Sequence, residues 1–341
     1  MNKISINIEG DYLDSFIYSG VLFLIDFESN LSIVNWENLL KSRIEKETSS
    51  IKNIYEKIFL KRKYADEKIF EENNLNIVKS DLKDYLIGNI ELNMLPTDIN
   101  IFSNVIYLSS SNGFSYMCFN GEKRFNKESY GCVKNIFNDC KIFSFDLDND
   151  RGILCAGSEG AIYSIINSRE IIEKNRIDIL RYNKESSWID CQWKNTDINS
   201  ILNIKSNSCH LIQNYKSSIL KETIINRIKE SNDKRRIKRI GKVRDRIDRC
   251  LKLQFERGLD ENIKDISFIK SRYVPNIATF TENENCIQIE TSEGVSITQK
   301  VIDELINWRV FPRAKTHSNQ LHIINNDQIQ IVGLDIPLPP R

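Results

Sequence analysis

Residues 141–165 read Lys141-Ile142-Phe143-Ser144-Phe145-Asp146-Leu147, Asp148-Asn149-Asp150-Arg151-Gly152, Ile153-Leu154-Cys155-Ala156, Gly157-Ser158-Glu159-Gly160 and Ala161-Ile162-Tyr163-Ser164-Ile165. Three short apolar stretches are separated by two clusters of turn-forming residues. This pattern predicts three strands joined as an antiparallel meander.

Working outward, the same strand–turn–strand unit occurs six times, at residues 21–36, 105–119, 153–165, 201–212, 277–290 and 321–332. The turns are built from Phe27-Glu28-Ser29-Asn30, Ser109-Ser110-Ser111-Asn112-Gly113, Ser206-Asn207-Ser208, Glu282-Asn283-Glu284-Asn285 and Asn325-Asn326-Asp327, besides Gly157–Gly160. The two longest intervals each contain one charged stretch with helical patterning. Without those stretches the repeat period is roughly 40–50 residues, the size of one propeller blade.

The hairpin Gly157-Ser158-Glu159-Gly160-Ala161-Ile162 resembles the "GS-x-DG-x-I" hairpin of WD40-type propeller repeats. The resemblance implies an all-β propeller with helical insertions, a single domain over residues 1–341. Two features depart from that family. No Gly-His dipeptide opens a repeat, and Asn35-Trp36 is only an echo of the Trp-Asp ending. Glycine is scarce, 13 of 341 residues, so asparagine is expected to take the left-handed turn positions that glycine would otherwise fill. The expectation is a divergent propeller of six blades, with five or seven blades, or two stacked sheets, as the competing arrangements.

Closure is expected from the N-terminus. The segment Lys3-Ile4-Ser5-Ile6-Asn7-Ile8-Glu9 alternates as a strand but has no local partner. The hairpin at 321–332, preceded by an expected inner strand around 309–315, lacks an outer strand. The tail Pro337-Leu338-Pro339-Pro340 cannot supply one, because proline donates no ladder hydrogen bond. Residues 3–9 are therefore expected to complete the last blade and cover its edge.

The two interrupting stretches, residues 38–86 and 215–264, carry isoleucines and leucines near three and four apart among charged residues, a helical pattern. Both leave their blade after its third strand and are expected to project as two arms. Ile51, Ile54 and Ile58 on one, and Ile240, Val243 and Ile247 on the other, would then need a partner to cover them.

The stretch 227–249 contains eleven basic residues against four acidic ones, among them Arg235, Arg236, Lys238, Arg239, Lys242, Arg244 and Arg246. Such density suits a phosphate backbone, a solvated helical face or an acidic protein partner. No aromatic residue interleaves it, so it lacks the stacking platform of a single-strand binder. Trp188 and Trp193 lie five apart on an expected inner strand. That odd spacing would point them to opposite faces, where they pack between blades or anchor a partner.

Catalytic and cofactor signals are sparse. The chain has no GxSxG, Walker-type loop, GxGxxG or HExxH motif, and no histidine stands in a metal-ligand spacing. Acid pairs such as Asp11 with Asp14, or Asp146 with Asp148, read as surface spacing. Eight cysteines are scattered without a CxxC pair, several within apolar strands, and no leader precedes the first strand. Together these point to a cytoplasmic protein without catalytic, metal or cofactor residues, and without a membrane span. Its expected role is a scaffold or sensor in protein–protein interaction. A nucleic-acid-binding subunit and a propeller hydrolase acting at the central channel are the alternatives.

Overall fold

The computed structural model describes residues 3–61, 73–148, 152–164, 180–182, 187–195, 199–206, 210–216, 270–284, 286–301, 304–314 and 316–334. Two compact units are distinguished. One comprises Met1–Ile106, Met117–Val133 and Ser267–Arg341, and the other Tyr107–Tyr116 and Lys134–Ile266.

The chain opens with β1 (Lys3–Glu9), then runs through a meander of β2 (Tyr12–Tyr18), β3 (Val21–Asp26) and β4 (Asn30–Val34). Asn35 ends this run and caps α1 (Trp36–Ile44), its side-chain oxygen accepting from the Asn38 amide at 3.2 Å. Next, α2 (Ser49–Tyr55) continues directly into a π-helical turn, Glu56–Leu60. Beyond it come β5 (Asn73–Ile77), α3 (Lys79–Asp84) and β6 (Leu86–Glu91), which returns to pair with β4.

The second sheet holds β7 (Pro96–Phe102), β8 (Val105–Ser110), β9 (Gly113–Cys118) and β10 (Lys134–Phe137). The third holds β11 (Ile142–Asp148), β12 (Gly152–Gly157), β13 (Gly160–Ser164) and β14 (Leu180–Tyr182). In the fourth are β15 (Trp188–Asn195), β16 (Asn199–Ser206) and β17 (His210–Lys216). The fifth holds β18 (Ser271–Val274), β19 (Ala278–Asn283), β20 (Cys286–Thr291) and β21 (Ser296–Lys300). The last begins with β22 (Leu305–Val310), β23 (Gln320–Asn325) and β24 (Gln328–Leu334).

All six expected hairpins form: β3–β4, β8–β9, β12–β13, β16–β17, β19–β20 and β23–β24. The fold is all-β and propeller-like: four of the six sheets are meanders of strands consecutive in sequence, while β6 returns to the first sheet and β1 and β5 join the last. Four sheets, not six, have the four strands of a regular blade; the fourth has three among the described residues, and the last has five. The left-handed positions expected of asparagine are shared with serine. Ser19, Ser103, Asn104 and Asn276 have positive φ in the turns that follow β2, β7 and β18. Phe280, Ile289, Trp308, Leu321, Ile323 and Val332 pack the fifth and last sheets into one apolar cluster.

The N-terminal strand takes its expected place beside the last hairpin. β1 pairs antiparallel with β24, placing Ile4 opposite Gly333, Ile6 opposite Ile331 and Ile8 opposite Ile329. It is not outermost, however. β5 pairs with its other side in parallel, with Ile6 opposite Leu75, because the first insertion carries a strand of its own. The first strand of this sheet is Leu305–Val310, upstream of the expected 309–315.

The picture of a projecting first arm is also corrected. Ile54 and Ile58 are buried, and Ile51 is half-buried. The helical segment lies against the last sheet. Tyr55 Oη donates to the Ser5 carbonyl at 3.1 Å, and the side-chain amides of Asn319 and Gln320 each donate at 3.3 Å to the carbonyls of Ile58 and Phe59. The apolar stripe of residues 49–60 is thus covered by the chain's own strands. The second insertion, from residue 217 onward, lies outside the described residues, together with Ile240, Val243 and Ile247.

Candidate functional site

The first strands of the sheets carry a recurrent polar position. β2, β11, β15 and β22 each shift register early, between Tyr12 and Asp14, Ile142 and Ser144, Trp188 and Asp190, and Leu305 and Asn307. Each shift takes one residue out of the ladder. The residue closing it is polar each time: Asp14, Ser144, Asp190 and Asn307. Asp14 Oδ1 accepts from the Ser15 amide at 2.7 Å, and Asn307 Oδ1 from the Trp308 amide at 2.8 Å, so the side chain satisfies backbone beside the bulge.

These side chains also bind across to neighbouring sheets. Ser144 Oγ donates to Asp190 Oδ1 at 3.0 Å. Lys270, just before β18, donates to Asn307 Oδ1 and to the Trp308 carbonyl, both at 2.9 Å. It also stands over the Trp308 ring, 4.9 Å from the centroid.

The densest node is Arg309 on β22. Its guanidinium grips Asp14 through both carboxylate oxygens, donates to Asp98 Oδ1 at 2.8 Å and to the Ile99 carbonyl at 2.6 Å. Side-chain exposures of 11% for Arg309, 5% for Asp14 and 14% for Asp98 make this a buried ion triad. Burial pushes the Asp14 carboxyl above its ordinary range despite the pull of Arg309. Burial also works against the charge on Arg309, but Asp14 and Asp98 outweigh it and hold the guanidinium cationic.

Beside the triad, Ser15 Oγ and His322 Nδ1 lie 2.8 Å apart. A hydroxyl on an imidazole can pair nucleophile with base. Here both residues are 0% exposed, and His322 packs at 4.7 Å against the Phe311 ring. Burial drives the imidazole well below its ordinary range, so it stays neutral. A substrate has no access to that hydroxyl, and the pair acts as an internal tie between β2 and β23.

Trp188 and Trp193 are 1% and 6% exposed, so neither offers surface to a partner. Nor do they face opposite ways. Trp188 stands opposite Ser206 and Trp193 opposite Leu202, positions four apart on β16 and so on one face. The bulge before Asp190 supplies the residue that cancels the odd spacing. Arg235, Arg236, Lys238, Arg239, Lys242, Arg244 and Arg246 lie outside the described residues.

Asp14, read from sequence as surface, is the residue that sequence reasoning missed most clearly. Its available signal was positional. Counted back from the hairpins, Asp14 and Asp98 occupy the same place in consecutive repeats, seven residues before Val21 and Val105.

No family model matches the sequence, and no curated protein does. Among solved structures, the chain is similar to the WD40 domain of Toxoplasma gondii coronin, at 8% identity over 98% of this chain and 70% of that one, with a TM-score of 0.40. It is similar to the AfRom2 CNH domain at 7% identity over 95% of this chain and 80% of that one, TM-score 0.42. A third is PorZ of Porphyromonas gingivalis, a surface component of the type-IX secretion system. Its identity is 10% over 94% of this chain, TM-score 0.40, and this chain spans 31% of its length. The hairpins and the order of strands within the sheets define the class, an all-β protein with a propeller-like arrangement of sheets.

Proposed function

We propose that this protein is a non-catalytic scaffold or sensor subunit that mediates protein–protein interaction within a larger assembly in the cytoplasm. One observation carries the reading. Among the described residues, the acids and the arginine on the first strands, and the Ser15–His322 pair between β2 and β23, are engaged with one another in buried contacts, with Arg309 joining Asp14 and Asp98 as the centre. Groups so engaged hold strands in register and are poorly placed to turn over a substrate. Native mass spectrometry of the tagged full chain, isolated from its own cells, tests the proposal. A stoichiometric second polypeptide that survives a high-salt wash is expected. Recovery of the chain alone, or ester, lactone or phosphoester hydrolysis that tracks the purified protein, overturns it.

A second reading, a nucleic-acid-binding subunit, is favoured by the eleven basic residues of 227–249.

A further inference from the structure

Two side-chain amides fasten the first insertion to the last sheet, and one of them depends on a histidine. Gln320 Nε2 donates to the Phe59 carbonyl at 3.3 Å and lies 3.2 Å from His317 Nδ1. The Phe59 carbonyl can only accept, so it fixes which end of the Gln320 amide faces it. That same nitrogen then faces His317, whose Nδ1 must accept and therefore carry no proton. Gln320 is 0% exposed and His317 6%, and Gln320 Oε1 has no hydrogen-bond partner.

We infer that His317 and Gln320 form an acid-released latch on the helical segment 49–60. A proton on His317 Nδ1 sets donor against donor at Gln320. Rotating the amide by half a turn would satisfy the imidazolium but bring Gln320 Oε1 against the Phe59 carbonyl oxygen. Either way the bond that holds the end of the π-helical turn is lost. Release would uncover Ile54, Tyr55, Ile58 and Phe59, all buried while the latch is closed.

The charged group acting on His317 is Glu37 at the start of α1, which favours its charged form; His317 in turn acts on His322 of β23, favouring the neutral ring there. His322 is itself acted on by Arg309. Burial dominates and holds His317 down at about 4, from an ordinary 6.5, although hydrogen bonding to the Gln320 side chain and the charge of Glu37 both favour the protonated ring. A ring that is harder to protonate when docked makes docking full above pH 6.5. Docking weakens as pH falls from there through about 4, by at most roughly 300-fold, the limit for a ring fully hydrated on release.

Hydrogen–deuterium exchange at residues 49–60, corrected for intrinsic rates, tests the latch on the full chain at pH 7.0 and 4.5. The wild type is expected to lose on the order of 100-fold protection there at pH 4.5, while β1 and β24 keep theirs. His317→Asn places a non-titrating acceptor near the Nδ1 position and should keep the segment protected at both pH values. Equal acid sensitivity in wild type and variant, or a wild-type segment still protected at pH 4.5, overturns the inference. Should the variant not fold, the wild-type His317 ring can be titrated by NMR. A midpoint near 4 that coincides with loss of protection supports the latch, and one at 6.5 overturns it.

Discussion

Gly333 on β24 and Ile58 on the π-helical turn approach so closely that a Cβ at position 333 would stand 2.5 Å from Ile58 Cγ2. The same Cβ would lie 2.8 Å from Phe59 Cζ. Both facing side chains are 0% exposed, so neither has open space to retreat into. Gly333→Ala should therefore destabilise the protein by about 1–3 kcal/mol, the range for overpacking a filled interior. Urea unfolding measures it. A midpoint equal to wild type would mean that the insertion sits more loosely than its contacts indicate.

Arg309 is the next point of leverage. Arg309→Met leaves the Asp14 and Asp98 carboxylates buried without their cation and should cost about 3–5 kcal/mol. Adding Asp14→Asn removes one of the stranded charges, so the double variant should be more stable than Arg309→Met alone. A double-mutant cycle by denaturant unfolding gives the coupling directly. Additive losses would show that the two residues do not act as a pair.

Asp14 also sets a pH dependence. Its carboxyl is held above the ordinary value by burial, so the native state binds that proton more tightly than the unfolded chain does. The contribution is greatest in acid and is lost as pH rises from the ordinary carboxylate range through the raised value. Asp14→Asn should flatten this part of the stability–pH profile. If the variant keeps the full wild-type slope, the slope arises elsewhere.

Deleting residues 1–9 removes β1 from between two strands. Ile4, Ile6 and Ile8 are each 0% exposed. At roughly 1.5–3 kcal/mol per buried side chain, the loss reaches on the order of 5–9 kcal/mol, an upper figure. The truncated chain should melt many degrees lower or aggregate, since β24 and β5 both gain an open edge. A thermal scan matching wild type would contradict the pairing.

The basic segment is testable by charge alone. Reversing Arg235, Arg236, Lys238 and Arg239 to glutamate should abolish retention of mixed-sequence DNA or RNA if this segment tracks phosphates. Wild-type binding should then fall steeply with added salt. Wild-type protein that ignores both polymers at low ionic strength removes the nucleic-acid reading.

The six hairpins were legible because each combines local alternation with turn residues, and both signals survive without knowledge of the rest of the chain. β1 was legible as a strand wanting a partner. β5 was not, for Asn73-Asn74-Leu75-Asn76-Ile77 has little apolar content, and its parallel partner lies far back in sequence. The tryptophan spacing misled because parity counting assumes an unbroken ladder, and a single bulge inverts it. Asp14 looked like surface because an aspartate is buried only when something pays for its desolvation. That partner, Arg309, is 295 positions away. His322 has no metal-ligand spacing to mark it in the sequence, and its bond to Ser15 spans 307 positions, a distance that only folding closes.

The double pairing of β1 has a consequence for how the protein is made. β1 leaves the ribosome more than 300 residues ahead of β24, its antiparallel partner. At ordinary elongation rates the interval is on the order of tens of seconds. β5 emerges early in that interval and presents a complementary backbone to Ile4–Ile8. β1 is thereby occupied within its own chain, rather than left to seek edges on neighbouring polypeptides of the same polysome.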